Sequence, residues 1–293
     1  MDPVTIQFLT KNNDLLKATF LPDKGMNMVS FKKNDVEVID QSTQNAFNND
    51  FSGLGAIIGP HYKKRNPHII SALEDESLFP HIETLKKEGI DDPFNHGIGR
   101  YATWNAEVMD AEIKAFLTGK DELNGIPLEV LEGQNFKMTF DAILNENGLN
   151  ITMSVVSDSD SLVGLDYHYA LKNGKGSVTA DVSDHYEDEG KSKPIPENWD
   201  YTQQHIHYNL NKGADYSFRP FLNNLSGNIL LKTEDYNLRT IYNCVNDENS
   251  WHLYHPPGGS YVCITPISAK HPHKPQLTVS FLKVKLTILD ADK

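Results

Sequence analysis

Residues able to do chemistry are concentrated in three short stretches. The first is Asp91-Asp92-Pro93-Phe94-Asn95-His96-Gly97-Ile98-Gly99-Arg100. A proline turn delivers the imidazole of His96, Gly97 and Gly99 let the backbone approach a neighbour or ligand, and Arg100 adds a guanidinium. The same residues also suit a tight turn in which histidine and arginine satisfy nearby carbonyls. The second is Gly164-Leu165-Asp166-Tyr167-His168-Tyr169-Ala170-Leu171, strand-like in composition. Side chains alternate along a strand, so Asp166 and His168 share one face while Leu165, Tyr167 and Tyr169 share the other. A carboxylate beside an imidazole orients the ring and favours its protonated form, an arrangement suited to a proton donor near neutral pH. A solvated pair on the open face of a sheet is the alternative. The third is the basic run Lys63-Lys64-Arg65, which reads as a local cationic pocket or as a solvated loop.

Other chemistries find little support. The chain has 27 Lys and Arg against 40 Asp and Glu, a formal net charge of −13, which opposes nucleic acid or an anionic membrane as partner. Its two cysteines, Cys244 and Cys263, are too few for a disulfide framework and lack metal-site spacing. His205 with His207 and His271 with His273 would each share a face on a strand, but two histidines need further ligands to hold zinc. Gly-rich phosphate loops, His-Glu-x-x-His and Gly-x-Ser-x-Gly are absent from the sequence. We therefore expect no cofactor and no metal. The N-terminus carries no signal-peptide pattern, and with so few cysteines a reduced cytoplasmic compartment is expected.

The elements that must position these residues are strands. Alternation predicts short antiparallel strands near the N-terminus and a hairpin pairing 136–144 with 149–156 around a type I′ turn at Asn147-Gly148. Further strands are expected at 162–171, 177–182, 229–233, 238–243 and 260–265, and a long one over 276–289 whose change of phase predicts a β-bulge near Phe281. Residues 77–88 read as a short helix and 184–198 as one long surface loop. Many strands and hardly any helix predict an all-β fold, a single large antiparallel β-sandwich domain over residues 1–293. A chain of this size can bury roughly three quarters of its unfolded surface, so one large core is within reach. Trp199 and Trp251 suit either that core or stacking on a sugar ring.

His96-Gly97-x-x-Arg100 ahead of the Trp104 strand resembles the segment that brings a sugar-contacting histidine into the cleft of the aldose 1-epimerase, or galactose mutarotase-like, superfamily. His168-Tyr169 is similar to the strand carrying the family's general acid; in a rival register Asp166 would take the histidine's place. Tyr261-Val262-Cys263-Ile264-Thr265-Pro266 resembles the family strand that carries a glutamate general base, with Thr265 at the glutamate's position. Threonine has no ionisable carboxylate and is no comparable base near pH 7. Gly59-Pro60-His61-Tyr62-Lys63-Lys64-Arg65 falls where the family has an arginine loop, and Asp215 resembles a hydroxyl-binding aspartate of the family.

The resemblance implies a sugar cleft on a large β-sandwich and a hexose or hexose phosphate as small-molecule partner. His168 would be the acid, His96 would polarise the ring or anomeric oxygen, and Arg100 and Arg65 would bind hydroxyls or a phosphate. Asp166 is the only substitute base that the spacing suggests. Loss of turnover, leaving a carbohydrate-binding or sensing protein, is the alternative that Thr265 raises.

Overall fold

The computed structural model describes every residue except Met1, Lys64, 66–72, Glu74, Glu189, 221–225, Asn246 and Lys293. Lys64 of the basic run thus lies outside the described residues. Strand-forming alternation is realised almost throughout, and the strands assemble into two large antiparallel sheets. The ten-stranded sheet runs, edge to edge, through Asp200–Thr202, His205–Asn209, Ser177–Asp181, Ser226–Lys232, Tyr236–Cys244, Val279–Asp290, Gly148–Ser157, Phe136–Asn145, Glu112–Thr118 and Asn105–Met109. The seven-stranded sheet runs through Lys191–Pro194, His185–Asp188, Ala214–Phe218, Ser250–His255, Tyr261–Ile267, Gly164–Ala170 and Gly55–Ile58. A four-stranded N-terminal sheet covers Val4–Leu9, Leu15–Leu21, Asn27–Lys33 and Val36–Glu37.

The inward residues of these sheets meet in one core. Phe140, Met153 and Leu282 from the large sheet, Leu165, Tyr167, Val262 and Trp251 from the smaller one, and Phe20 and Phe31 from the N-terminal sheet belong to a single buried cluster. Trp251 stacks on Phe218 inside it and Trp199 packs half-buried against it, so both tryptophans serve the core. Because Leu165, Tyr167 and Tyr169 fill this core, period-two geometry turns Asp166 and His168 to the opposite face.

Three local expectations need correction. The hairpin pairs as expected, but Asn145 lies opposite Gly148, so Glu146 and Asn147 make the turn and neither has positive φ. Gly148, the first residue of the second strand, does take positive φ, 113°, and a Cβ there would also lie 2.2 Å from the Leu286 carbonyl oxygen. The strand Val279–Asp290 keeps an unbroken register with Gly148–Ser157 and has no bulge at Phe281. Its apparent change of phase arises because Ser280, not an apolar residue, takes the inward position, its hydroxyl donating to the Ser268 carbonyl at 3.0 Å. The stretch 184–198 contains a hairpin, His185–Asp188 with Lys191–Pro194, where Lys193 reaches Asp188 at 2.6 Å.

The short helix His81–Lys87 forms within the expected segment. Among the described residues no helix is long and apolar enough to cross a membrane.

Candidate functional site

The site is built on two neighbouring strands, Gly164–Ala170 and Tyr261–Ile267. Their register sets His168 opposite Cys263 and Tyr167 opposite Ile264, which brings Asp166 against Thr265. Directly opposed residues share a face, so Asp166, His168, Cys263 and Thr265 form one polar patch. The Thr265 hydroxyl donates to Asp166 Oδ1 at 3.2 Å, and the Cys263 thiol donates to the same oxygen at 2.8 Å.

The loop 91–100 supplies the other wall. Gly97 has φ 94°, and a Cβ there would lie 2.0 Å from the Gly59 carbonyl oxygen, so only glycine allows this approach. The two backbones are laced together by Gly59 N–H to the His96 carbonyl at 2.9 Å and Gly99 N–H to the Gly59 carbonyl at 3.0 Å. Arg100, only 3% exposed, donates from Nε to the Ile57 carbonyl at 3.0 Å and from Nη2 to Asp166 Oδ2 at 3.0 Å. His96 stands edge-on to the Tyr62 ring at 5.0 Å, and His168 stacks flat on Tyr261 at 4.4 Å. Nδ1 of each histidine is buried without a hydrogen-bond partner among the described residues.

Charge and burial set the protonation states. Burial opposes ionisation of Asp166, but Arg100, His96, His168 and the Cys263 thiol outweigh it and hold the carboxyl well below the usual range. Burial, reinforced by the Arg100 charge, pushes His96 far down, and burial only partly offset by Asp166 lowers His168. Burial and then the Asp166 charge push the Cys263 thiol up.

Donor atoms of Asp166, His168 and Cys263 lie within 4.8 Å of one another, the spacing of a potential metal triad. The fit is poor. Arg100 already neutralises the carboxylate, and the thiol resists the deprotonation that ligation needs. A cluster of hydroxyl, thiol, carboxylate and unfilled imidazole nitrogens suits a neutral polyol better.

Of the residues expected from sequence, His96, Arg100, Asp166, His168 and Thr265 are brought together. Asp215 lies on the same face three strands from His168, its side chain 69% exposed and 3.1 Å from His252 Nε2. The hydrogen bond from His252 holds its carboxyl low. Arg65 does not join them. Its Nε donates to Asp92 Oδ1 at 3.0 Å, its Nη1 donates to the Leu131 carbonyl, and it lies over the Phe94 ring.

Asp92 and Arg65 belong to a buried support that sequence reasoning missed, together with His61 and Glu132. His61 Nδ1 is 2.5 Å from Glu132 Oε1, and Glu132 Oε2 accepts from the Ile98 backbone at 3.3 Å, fixing the segment between His96 and Arg100. Nothing in the sequence around Glu132 signals this. The histidine pairs do not share sites: exposed His205 meets Asp181, His271 meets Arg219 and Glu187, and His273 packs on Tyr62.

No family model and no curated protein matches the chain. Solved structures do. A galactose mutarotase-like protein from Lactobacillus casei superposes with TM-score 0.66 at 12% identity over 98% of this chain and 100% of its own. The GalM/aldose epimerase homologue from C. elegans gives 0.66 at 14% identity over 99% and 100%. A galactose mutarotase-like protein from Clostridium acetobutylicum gives 0.63 at 13% over 99% of each chain. The resemblance drawn from the sequence therefore holds at the level of the fold.

Proposed function

We propose that this chain, built on the galactose mutarotase-like fold, binds a hexose over Asp166, His168 and His96 and interconverts its α and β anomers. The observation that carries this reading is the Asp166 carboxylate 3.2 Å from the Thr265 hydroxyl. The resemblance expects a glutamate base at residue 265, and a carboxylate is present there after all, contributed by the adjacent strand.

In this reading Asp166 accepts the proton of the anomeric hydroxyl while His168, protonated, donates to the ring oxygen. The ring opens, the C1–C2 bond rotates, and the reverse transfers close it as the other anomer. His96 donates a hydrogen bond to the sugar and holds it between the two groups. Arg100, with Nε and Nη2 both engaged, orients Asp166 instead of reading hydroxyls. Arg65 has no sugar contact in this scheme, and Asp215 with His252 forms a polar rim.

The reaction needs Asp166 ionised and His168 protonated. The lowered pKa of His168 means that this combination is depleted as pH rises, so the rate falls from a point below the ordinary histidine value of 6.5.

A second reading, binding without turnover, is favoured by the Arg100–Asp166 ion pair at 3.0 Å. A carboxylate so stabilised is a weak base, and Brønsted behaviour makes proton abstraction slow. NMR exchange between anomers of glucose, galactose and glucose 6-phosphate at low buffer concentration separates the two. Acceleration that His168→Ala removes supports interconversion. Sugar-induced shifts in the protein spectrum without acceleration support binding alone, and neither effect with any sugar sinks both.

A further inference from the structure

The ten-stranded sheet has an outer face remote from this site, and that face carries a groove of about 600 Å³ lined by Asn105, Glu107, Lys114, Phe116, Lys137 and Asp141. Phe116 in its lining is 46% exposed. Strand register arranges the face around one rung, in which Phe116 lies beside Thr139, Thr139 beside Ser154, and Ser154 beside Phe281. Lys137 stands two residues to one side of that rung and Asp141 two residues to the other, all on the same strand.

We infer that this face is a self-association surface whose partner is a second copy of the chain, related by a two-fold axis lying along the rung between two facing sheets. Such an axis reverses the strand direction while keeping each strand over itself. Phe116 then meets Phe116 of the other copy, and Lys137 of each copy meets Asp141 of the other, giving two opposite-charge pairs per dimer. Facing sheets at the usual separation of about 10 Å fill the groove with each other's side chains. The charge pattern selects this occupant. A chain with net charge −13 repels copies of itself unless the contact carries both signs in register, and this face does.

Sedimentation velocity on the full chain tests this. The wild type should be dimeric at about 100 µM. Lys137→Asp and Asp141→Lys each set like charges face to face and should raise the dimer Kd about tenfold or more, whereas the double swap restores opposite pairs and should return Kd to within about threefold of wild type. Phe116→Lys should abolish association. All these side chains point outward, and circular dichroism checks that each variant is folded. A monomeric wild type, a dimer indifferent to these changes, or a double swap as weak as either single swap overturns the inference.

Discussion

Among the described residues, two arginine–aspartate pairs have the same length, Arg100–Asp166 and Arg65–Asp92, each at 3.0 Å. They do different work because of what surrounds them. Asp92 accepts from Arg65 N at 2.9 Å, Arg65 Nε at 3.0 Å and Phe94 N at 2.9 Å, and His61 Nε2 lies 3.8 Å away. Three segments of chain are closed around that pair. Asp166 sits instead on an open sheet face, 17% exposed, beside two histidines whose Nδ1 atoms lack partners. An unpartnered imidazole nitrogen lies beside each pair, His61 Nε2 at Asp92 and the two Nδ1 atoms at Asp166. Access therefore separates them: Asp92 is 6% exposed within closed loops, whereas Asp166 at 17% faces a surface that a ligand can reach.

The largest expected effect breaks the comparison at its open end. Asp166→Asn keeps size and hydrogen-bonding reach but removes the base, and should slow anomer exchange by about a hundred- to ten-thousand-fold in the NMR assay. Sugar-induced shifts should persist. An unchanged rate would mean that Asp166 does not take the proton.

At the closed end the effect falls on stability. Arg65→Ala leaves Asp92 buried without its counter-charge and should lower the unfolding free energy by about 3–5 kcal/mol, measured by urea denaturation. Arg100→Ala should cost less, because Asp166 at 17% exposure keeps partial access to water that Asp92 at 6% lacks. Equal losses would show that the two pairs are alike after all.

The contrast also decides what was legible in the sequence. Asp166 and His168 could be assigned to one face because strand periodicity needs only neighbouring residues, and the gap at Thr265 was visible against the resemblance. Asp166 was also legible as a substitute base from its spacing; that its carboxylate lies against Thr265 was not, because it depends on the register between strands 99 residues apart. Arg65 read as a sugar-facing cation for the same reason: its partner Asp92 lies 27 residues away, in a different loop. Periodicity reports a face, and only packing reports what that face meets.

A moderate effect sharpens the carboxylate argument. If position matters more than which strand supplies the group, Thr265→Glu in the Asp166→Asn background should return the anomerisation rate to within about tenfold of wild type. In the wild-type background the added glutamate would lie beside an ionised carboxylate, and like charges at that range raise one of the two pKa values. The single variant should therefore be active over a shifted pH range, seen as a displaced pH–rate profile. If the double variant stays as inactive as Asp166→Asn, the substitution at 265 is not a relocated base.

The smallest effect concerns a histidine behind the site. His81 is 5% exposed, donates from Nε2 to the Pro93 carbonyl at 2.8 Å and stacks on Tyr101 at 4.5 Å, and burial lowers its pKa from 6.5. His96 and His168 are lowered in the same direction. Below pH 6.5 the unfolded chain takes up protons that the folded chain resists, so the stability these groups contribute is complete above that pH and is lost as pH falls toward their folded values. The slope is at most about 1.4 kcal/mol per pH unit for each histidine. Thermal unfolding between pH 7.5 and 5 should show the decline, and His81→Phe, which keeps an aromatic ring against Tyr101, should start from a lower neutral-pH stability but lose less on acidification. A slope identical to wild type would mean that His81 titrates alike in the folded and unfolded chain, leaving the two histidines of the open site to account for the decline.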